Sequence, residues 1–391
     1  MDDDRGDDVA QRTIRVIMNG VTGRMGYRQH LVRSVLAIRD DGGVGLAGGE
    51  RINVEPILVG RNAEKLAALA VQHGVSDFTT DLDEALEDDS ASVYFDAQVT
   101  SERKKSILKA IGAGKHIYTE KPIAESVDEG IELVTAAAEA GVINGVVHDK
   151  LYLPGLVKLK RLIASGFFGR ILSVRGEFGY WVFEGDLLPA QRPSWNYRAE
   201  DGGGMVLDMF PHWNYVLENL FGKVQAVTAK AVTHIPERWD EQGRKYAATA
   251  DDSAYAIFEL EDDVIAQINS SWAVRVDRGE LVEFQVDGTH GSAVAGLFGC
   301  RIQPRVSTPM PVWNPDLPTT EDFRSQWEQI PDNAEFTNGF RAQWEQFLSD
   351  VDAGRPHAYD LSAGVRGSLL ADAGLRSWAE GRRVAIDRIT P

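Results

Sequence analysis

A single cysteine, Cys300, stands among 391 residues. No disulfide can close within the chain, which suits a reducing compartment. No apolar run reaches the ~18 residues of a membrane-spanning helix. The N-terminus is acidic, whereas a secretory signal is basic and then apolar. Together these absences give a cytoplasmic protein as the expectation. Positive charge is scarce too: 41 Lys and Arg against 59 Asp and Glu leave a net −18. Five Asp and one Arg fall in the first eight residues, and the rest of the chain is still strongly acidic. Such a chain is a poor electrostatic partner for nucleic acid or an anionic membrane. The eight His are scattered, with none at ligand spacing from another His or from Cys300, so no metal site is expected.

What is present is an ordinary globular composition, 43% hydrophobic and 26% charged, with length for two domains or at most three. Residues 1–12, dense in Asp, read as an acidic flexible tail. From Thr13 to residue 148, strand and helix patterns alternate. TIRVIMNG, VEPILVG (54–60), SVYFDAQ (92–98), KHIYTEKP (115–122) and VINGVVH (142–148) are strand-like. Residues 27–38, 62–74, 102–114 and 126–141 carry helical apolar spacing, and the Gly-rich 41–49 is a loop. This alternation predicts an α/β domain, a Rossmann-type doubly wound parallel sheet. Residues 149–391 differ. A helix over 154–166 precedes long β-type stretches with turn residues between them, and helical patterns follow at 204–221, 336–352 and 361–380. They predict a second domain, of α+β type: a large, mainly antiparallel sheet with helices on one face. Segment 303–333, rich in Pro, Asp and Thr, is expected to loop over the surface. Apolar residues on both faces of strands such as SAYAIFEL predict a homo-oligomer, a dimer or tetramer, paired through that sheet.

Between the first strand and the first helix lie Asn19, Gly20, Val21, Thr22, Gly23, Arg24, Met25 and Gly26. Glycines there let the backbone approach a pyrophosphate, and the helix start offers aligned N–H donors. The spacing G-x-x-G-x-x-G is one residue longer than the common dinucleotide fingerprint. The second strand ends in Val59, Gly60 and Arg61, without the carboxylate that reads a ribose 2′-hydroxyl. Arg61 can meet a 2′-phosphate there, or it can be a surface charge at a helix start. NAD(P) is the expected cofactor, with NADP tolerated or preferred.

Thr119-Glu120-Lys121-Pro122, just after a strand, resembles the E-K-P motif of the glucose–fructose oxidoreductase and inositol dehydrogenase (Gfo/Idh/MocA) family. The run from Gly202 through Asp208 to His212 resembles that family's G-G-G-x-x-x-D-x-x-x-H motif, and residues 369–384 resemble its last helix. The likeness covers residues 13 to about 385. It departs in two places: Gln98-Val99-Thr100-Ser101-Glu102-Arg103 stands where the family often has T-P-x-x-x-H. His148-Asp149-Lys150-Leu151 stands where it often has Asn and Arg. Both places line cofactor or substrate in the family. The resemblance therefore implies Gln98, Glu120 and Lys121 at the cofactor, together with Gly20, Thr22, Gly23, Arg24, Met25, Gly26 and Arg61. The turn Gly23-Arg24-Met25-Gly26 also resembles dihydrodipicolinate reductase, a shorter family whose His-His and Lys motif is missing here.

The implied chemistry is hydride transfer from a secondary hydroxyl of a sugar, glycoside or cyclic polyol to nicotinamide. His212, with an imidazole suited to neutral pH, is the expected base. Asp208, four residues earlier, shares its helix face as orienter and substrate ligand, although Pro211 between them is expected to kink the helix. Lys121 at a strand's carboxyl end is the expected cation beside the developing alkoxide. Phe178, Tyr180, Trp181, Phe183, Trp195 and Tyr197 crowd six aromatics into twenty residues. Their faces can stack on sugar rings, or they can form a sheet core or a subunit contact. Trp181, Trp195, Tyr197, Arg198, Asp149 and Lys150 join Lys121, Asp208 and His212 as candidate substrate contacts; Glu184, Asp186, Arg192 and Asn196 are polar neighbours. A cofactor-binding regulator would have no need of Lys, Asp and His together, so an enzyme, an NAD(P)-dependent sugar or polyol dehydrogenase, is the favoured reading over a regulator on the same fold. A glycosidase that oxidises its substrate transiently through NAD is a third.

Overall fold

Short β-branched runs alternating with amphipathic helices build the first half. The computed structural model describes residues 11–307, 316, 323–333, 335–336 and 338–386, so residues 1–10 of the acidic tail lie outside the described residues. Two compact units result: Met1–Tyr152 with Thr337–Val365, and Leu153–Phe336 with Arg366–Thr390.

In the first unit, strands β1 (Gln11–Asn19), β2 (Val44–Gly45), β3 (Arg51–Val59), β4 (Asp77–Thr79), β5 (Ala91–Asp96), β6 (His116–Thr119) and β7 (Asn144–Val146) form one sheet. Its order is β2-β3-β1-β5-β6-β7, with β4 also paired to β3. All pairs are parallel except β2 with β3, so the Gly-rich 41–49 is a hairpin rather than a plain loop. The register sets Asn19 opposite Val59 and Asp96, Asp96 opposite Thr119, and Thr119 opposite Val146. Every strand end singled out in the sequence therefore opens onto one carboxyl edge. The strand order reverses between β1 and β5, where open α/β sheets bind ligands.

The helices follow their local signals. Gly26–Leu36 is a widened π-type helix continued as α-helix by Ala37–Asp40. Ala63–His73 starts at Asn62, whose side chain accepts from the Lys65 N–H, and stops at Gly74 in the left-handed conformation. Helices Thr100–Gly112 and Val127–Ala140 complete the alternation. The helix Gly339–Asp352 also belongs to this unit, so residues 149–391 do not form one body as the sequence suggested. Its Trp344, Phe347 and Leu348, spaced i, i+3 and i+4, join the same buried core as Val16, Met18 and Phe95. Gln343 fixes its register, donating to the Val146 carbonyl at 2.8 Å and accepting from the His148 N–H at 2.7 Å.

Among the described residues, the main sheet of the second unit has nine strands: β8 (Ile171–Phe178), β9 (Val224–Val232), β12 (Ser253–Leu260), β13 (Ile265–Ser271), β14 (Val282–Gly288), β15 (Gly291–Ala295), β16 (Cys300–Pro304), β17 (Glu328–Gln329) and β18 (Val384–Ala385). The order is β17-β16-β15-β14-β8-β13-β12-β9-β18, and only β8 with β13 is parallel. Strands β10 (Glu237–Trp239) and β11 (Lys245–Ala247) make a separate ribbon. The segment 303–333 is thus not all loop, since β16 runs into it and β17 adds an edge strand. Helix Met205–Leu220 packs on β9, β12 and β13, and helix Pro154–Ala164 on β15 and β16. Along β12, Ala254, Ala256, Phe258 and Leu260 are buried, while Tyr255 and Ile257 stay 41% and 46% exposed on the other face. Cys300 is buried, which pushes its thiol up to about 11.

Candidate active site

At the carboxyl edge of the first sheet, the chain turns at Gly20 with φ +88. A Cβ on Gly20 would sit 2.6 Å from the Ala97 carbonyl carbon, and one on Gly26 would sit 2.5 Å from the Gly20 carbonyl oxygen. Only glycine closes this turn. Thr22, Gly23 and Arg24 are exposed above the helix start. Beside them a pocket of about 230 Å³ is lined by Asn19, Gly60, Arg61, Gln98, Glu102 and Lys105, among others. Among the described residues, the Oε1 of Gln98 is buried with no hydrogen-bond partner, an acceptor that a ligand can engage.

The adjoining turns are held by buried charge. Arg103 donates from Nε to Asp96 Oδ1 at 3.1 Å, from Nη2 to the Gln98 carbonyl at 2.7 Å, and from Nη1 to the Pro122 carbonyl. Asp96 also accepts from the Tyr94 hydroxyl and the Gln98 N–H. One guanidinium thus ties the Gln98 turn to the E-K-P turn, where the Lys121–Pro122 bond is cis. The Trp344 indole N–H donates to His30 Nδ1 at 3.0 Å, which leaves the His30 Nε2–H to donate to Glu120 Oε1 at 2.8 Å. Burial pushes the Glu120 carboxyl up, but the His30 hydrogen bond and the charges of Lys121 and Arg103 outweigh it. Glu120 is held below its ordinary value. Its second oxygen accepts from the Lys121 backbone N–H at 3.2 Å. Asp149 and Lys150, after β7, lie half-buried with their charged groups 3.9 Å apart.

In the second unit the triple glycine has a steric cause. A Cβ on Gly203 would lie 2.4 Å from the Asn196 carbonyl oxygen, and one on Gly204, at φ +133, would lie 2.5 Å from Asp251 Oδ1. The glycines let the chain fold back against residues 195–198, and Asp251 then accepts the Val206 N–H at the helix start at 2.9 Å. The helix Met205–Leu220 runs through Pro211 without ending, so the expected kink does not divide it. It carries Asp208 and His212. Asp208 Oδ2 accepts from Arg192 Nη2 at 2.5 Å, and His212 Nδ1 lies 2.7 Å from the Tyr215 hydroxyl. Arg192 also donates to Asn196 Oδ1 at 3.2 Å and lies 4.6 Å over the Trp272 ring.

The aromatic cluster divides. Trp181 and Trp195 are 46% and 50% exposed. Tyr197 is 1% exposed; its hydroxyl donates to the Phe183 carbonyl at 2.7 Å, and Arg238 lies 4.1 Å over its ring. No face of Tyr197 is left for a sugar, so its assignment as a substrate contact is corrected to a structural one. The buried Arg238–Asp252 ion pair, 2.8 Å, supports it from below. Arg198 is held by Asp201 at 3.7 Å and lies over Tyr246. Glu184 and Asp186 both accept from Arg275.

Comparison with known proteins decides the family. The model described as "Oxidoreductase family, NAD-binding Rossmann fold" matches residues 14–148, and the GFO/IDH/MocA C-terminal domain model matches residues 156–294. The chain belongs to the Gfo/Idh/MocA oxidoreductase family. The D-xylose dehydrogenase of Paenarthrobacter nicotinovorans is 63% identical to this Gfo/Idh/MocA chain over 381 residues, 96% of the chain and 98% of the relative. The 1,5-anhydro-D-fructose reductase of Ensifer adhaerens is 28% identical over 65% of the chain and 70% of its own length. A levoglucosan dehydrogenase solved in complex with NADH shares the fold, with TM-score 0.79 at 20% identity, covering 97% of this chain and all of that one.

This Gfo/Idh/MocA protein is thus an oxidoreductase with a nicotinamide-dinucleotide-binding domain. The glycine turn and the unpartnered Gln98 oxygen fit that cofactor. No helix among the described residues is long and apolar enough to cross a membrane, and no group of three or more metal-ligating side chains is found among them. Sequence reasoning missed His30, Trp344, Asp96 and Arg103, and passed over Tyr215. No local motif marks them: His30 and Trp344 meet partners distant in sequence, and Asp96, Arg103 and Tyr215 meet nearby partners only because the fold buries them together. Only the positive charge of Arg192 among the aromatics gave a usable signal.

Proposed function

We propose that this chain is an NAD(P)-dependent D-xylose dehydrogenase, oxidising a ring-carbon hydroxyl of the pyranose by hydride transfer to nicotinamide. The observation that carries this reading is the 63% identity to a D-xylose dehydrogenase over nearly its whole length. When bound, the dinucleotide accepts the hydride. Gly20, Thr22, Gly23, Arg24, Met25 and Gly26 would hold its pyrophosphate, while Gln98 and Glu120 would position its nicotinamide half. Arg61 tolerates or favours a 2′-phosphate.

His212 takes the hydroxyl proton. Lys121 stabilises the negative charge that grows on that oxygen as hydride leaves, which helps most in the transition state. Asp208, held by Arg192, binds a neighbouring hydroxyl. Trp181 and Trp195 offer ring faces, and Asp149, Lys150 and Arg198 offer polar contacts. The protein is cytoplasmic, and it pairs with a second copy through the sheet face bearing Tyr255 and Ile257.

A dehydrogenase screen of pentoses, hexoses, inositols, glycosides and 2-hydroxy acids with both dinucleotides tests the reading. D-Xylose should give the highest kcat/KM. His212→Ala and Lys121→Ala should lower kcat about 10²–10⁴-fold while dinucleotide affinity holds. Better turnover of 2-hydroxy acids than of any sugar would overturn it, as would glycoside cleavage without net change in nicotinamide absorbance.

A further inference from the structure

Three chemically active side chains lie along one helix, and they are engaged by different partners. Asp208 accepts from Arg192 at 2.5 Å, and Arg192 is itself fixed by Asn196 and by the face of Trp272. One turn further on, His212 and Tyr215 are spaced i and i+3, so their side chains are neighbours on the helix surface. His212 Nδ1 and the Tyr215 hydroxyl oxygen are 2.7 Å apart, the rings 5.4 Å apart and tilted by 79°. Both are buried, at 7% and 1% exposure. A hydrogen bond so placed sets the ring's angle; a phenolic hydroxyl can donate or accept, so the tautomer follows from which ring nitrogen must stay unprotonated to act as base.

We infer that Tyr215 is the positioning residue of His212: it holds the imidazole with its proton on Nδ1 and its lone pair on Nε2. The inference rests on the reading of His212 as base. Nδ1–H donates to the phenolic oxygen, and Nε2 takes the proton of the substrate hydroxyl. The substrate O–H bond breaks and an Nε2–H bond forms. The carbon's hydride leaves for the nicotinamide, the C–O bond becomes a carbonyl, and Nδ1–H stays in place throughout. With the opposite tautomer Nε2 already carries hydrogen and cannot act. The phenolic oxygen of Tyr215 orients the ring. Asp208, the orienter expected from the sequence, is engaged by Arg192, which sets its rotamer.

Tyr215→Phe removes the oxygen and keeps the ring. It should lower kcat about tenfold, the worth of one net hydrogen bond, with KM for D-xylose and the dissociation constant for the dinucleotide within about twofold. In protein carrying ¹⁵N-histidine, with His212 assigned by its loss in His212→Asn, the wild-type ring should show a protonated Nδ1 and an unprotonated Nε2. Tyr215→Phe should move population to the Nε2–H form. A wild-type ring found protonated on Nε2 overturns the inference, and so does a Tyr215→Phe enzyme with unchanged kcat and tautomer. Should the variant not fold, the wild-type spectrum alone decides. Wild-type kcat in His212→Asn would overturn the base reading instead, and the tautomer measurement would still decide what Tyr215 does.

Discussion

The Arg192 guanidinium donates to the Asp208 carboxylate at 2.5 Å while lying 4.6 Å over the indole of Trp272. Both charged side chains are about one-fifth exposed, so the pair is neither a solvated surface contact nor sealed in the core. A charge-assisted hydrogen bond of this kind contributes about 1.5–3 kcal/mol. Arg192→Ala should therefore lower kcat/KM for the sugar about ten- to a hundredfold and leave dinucleotide affinity unchanged. Arg192→Lys should recover only part, because an ammonium cannot stack and fork as a guanidinium does. Steady-state kinetics on both variants check this; equal activity in Arg192→Ala would remove the pair from substrate binding.

The turn at Gly20 gives a contrast within one loop system. Gly20→Ala places a methyl 2.6 Å from backbone at a φ of +88 and should cost both stability and dinucleotide binding. Gly60→Ala meets only side chains at 3.5 Å and beyond, and should fold normally. Thermal midpoints with and without dinucleotide should separate the two variants; similar values would show that the turn can relax.

Cofactor choice should turn on Arg61. It lines the pocket at the end of β3 together with Lys105, and that strand end carries no carboxylate. Arg61→Ala should weaken NADP binding about tenfold or more and change NAD binding little. Fluorescence titration of both dinucleotides decides it, and an NAD preference untouched by the substitution would leave Arg61 a surface charge.

Burial holds the imidazoles of His116 and His357 below their ordinary value, although for His357 the bond to Asp350 pulls the other way. Near neutral pH neither folded nor unfolded chain carries these protons. As the pH falls below about 6.5, the unfolded chain binds them first, so stability is lost on acidification. Urea unfolding between pH 7 and pH 5 should show this slope, at most about 1.4 kcal/mol per pH unit for each His. His357→Gln should reduce the slope, and an unchanged slope would assign it to other groups.

Much of the first unit was legible in the sequence. Apolar period and glycine punctuation are local properties, and they located β1, β3, β5, β6 and β7 and the helices between them. Once these strands run parallel, their register brings Gly20, Arg61, Gln98 and Lys121 to one edge. The E-K-P and G-G-G-x-x-x-D-x-x-x-H motifs were equally local. Tertiary structure alone decided the rest. The helix Gly339–Asp352 returns to a core begun more than three hundred residues earlier, since Trp344, Phe347 and Leu348 could bury their side chains against several different surfaces. Tyr197 and Trp195 sit two residues apart in one aromatic run, yet one is covered by Arg238 and the other is half exposed. Composition cannot separate them, because burial depends on what the rest of the chain lays over each ring. The partner of Asp208 was open for the same reason: a carboxylate's charge is written in the sequence, but the cation that reaches it is chosen by the path of the chain.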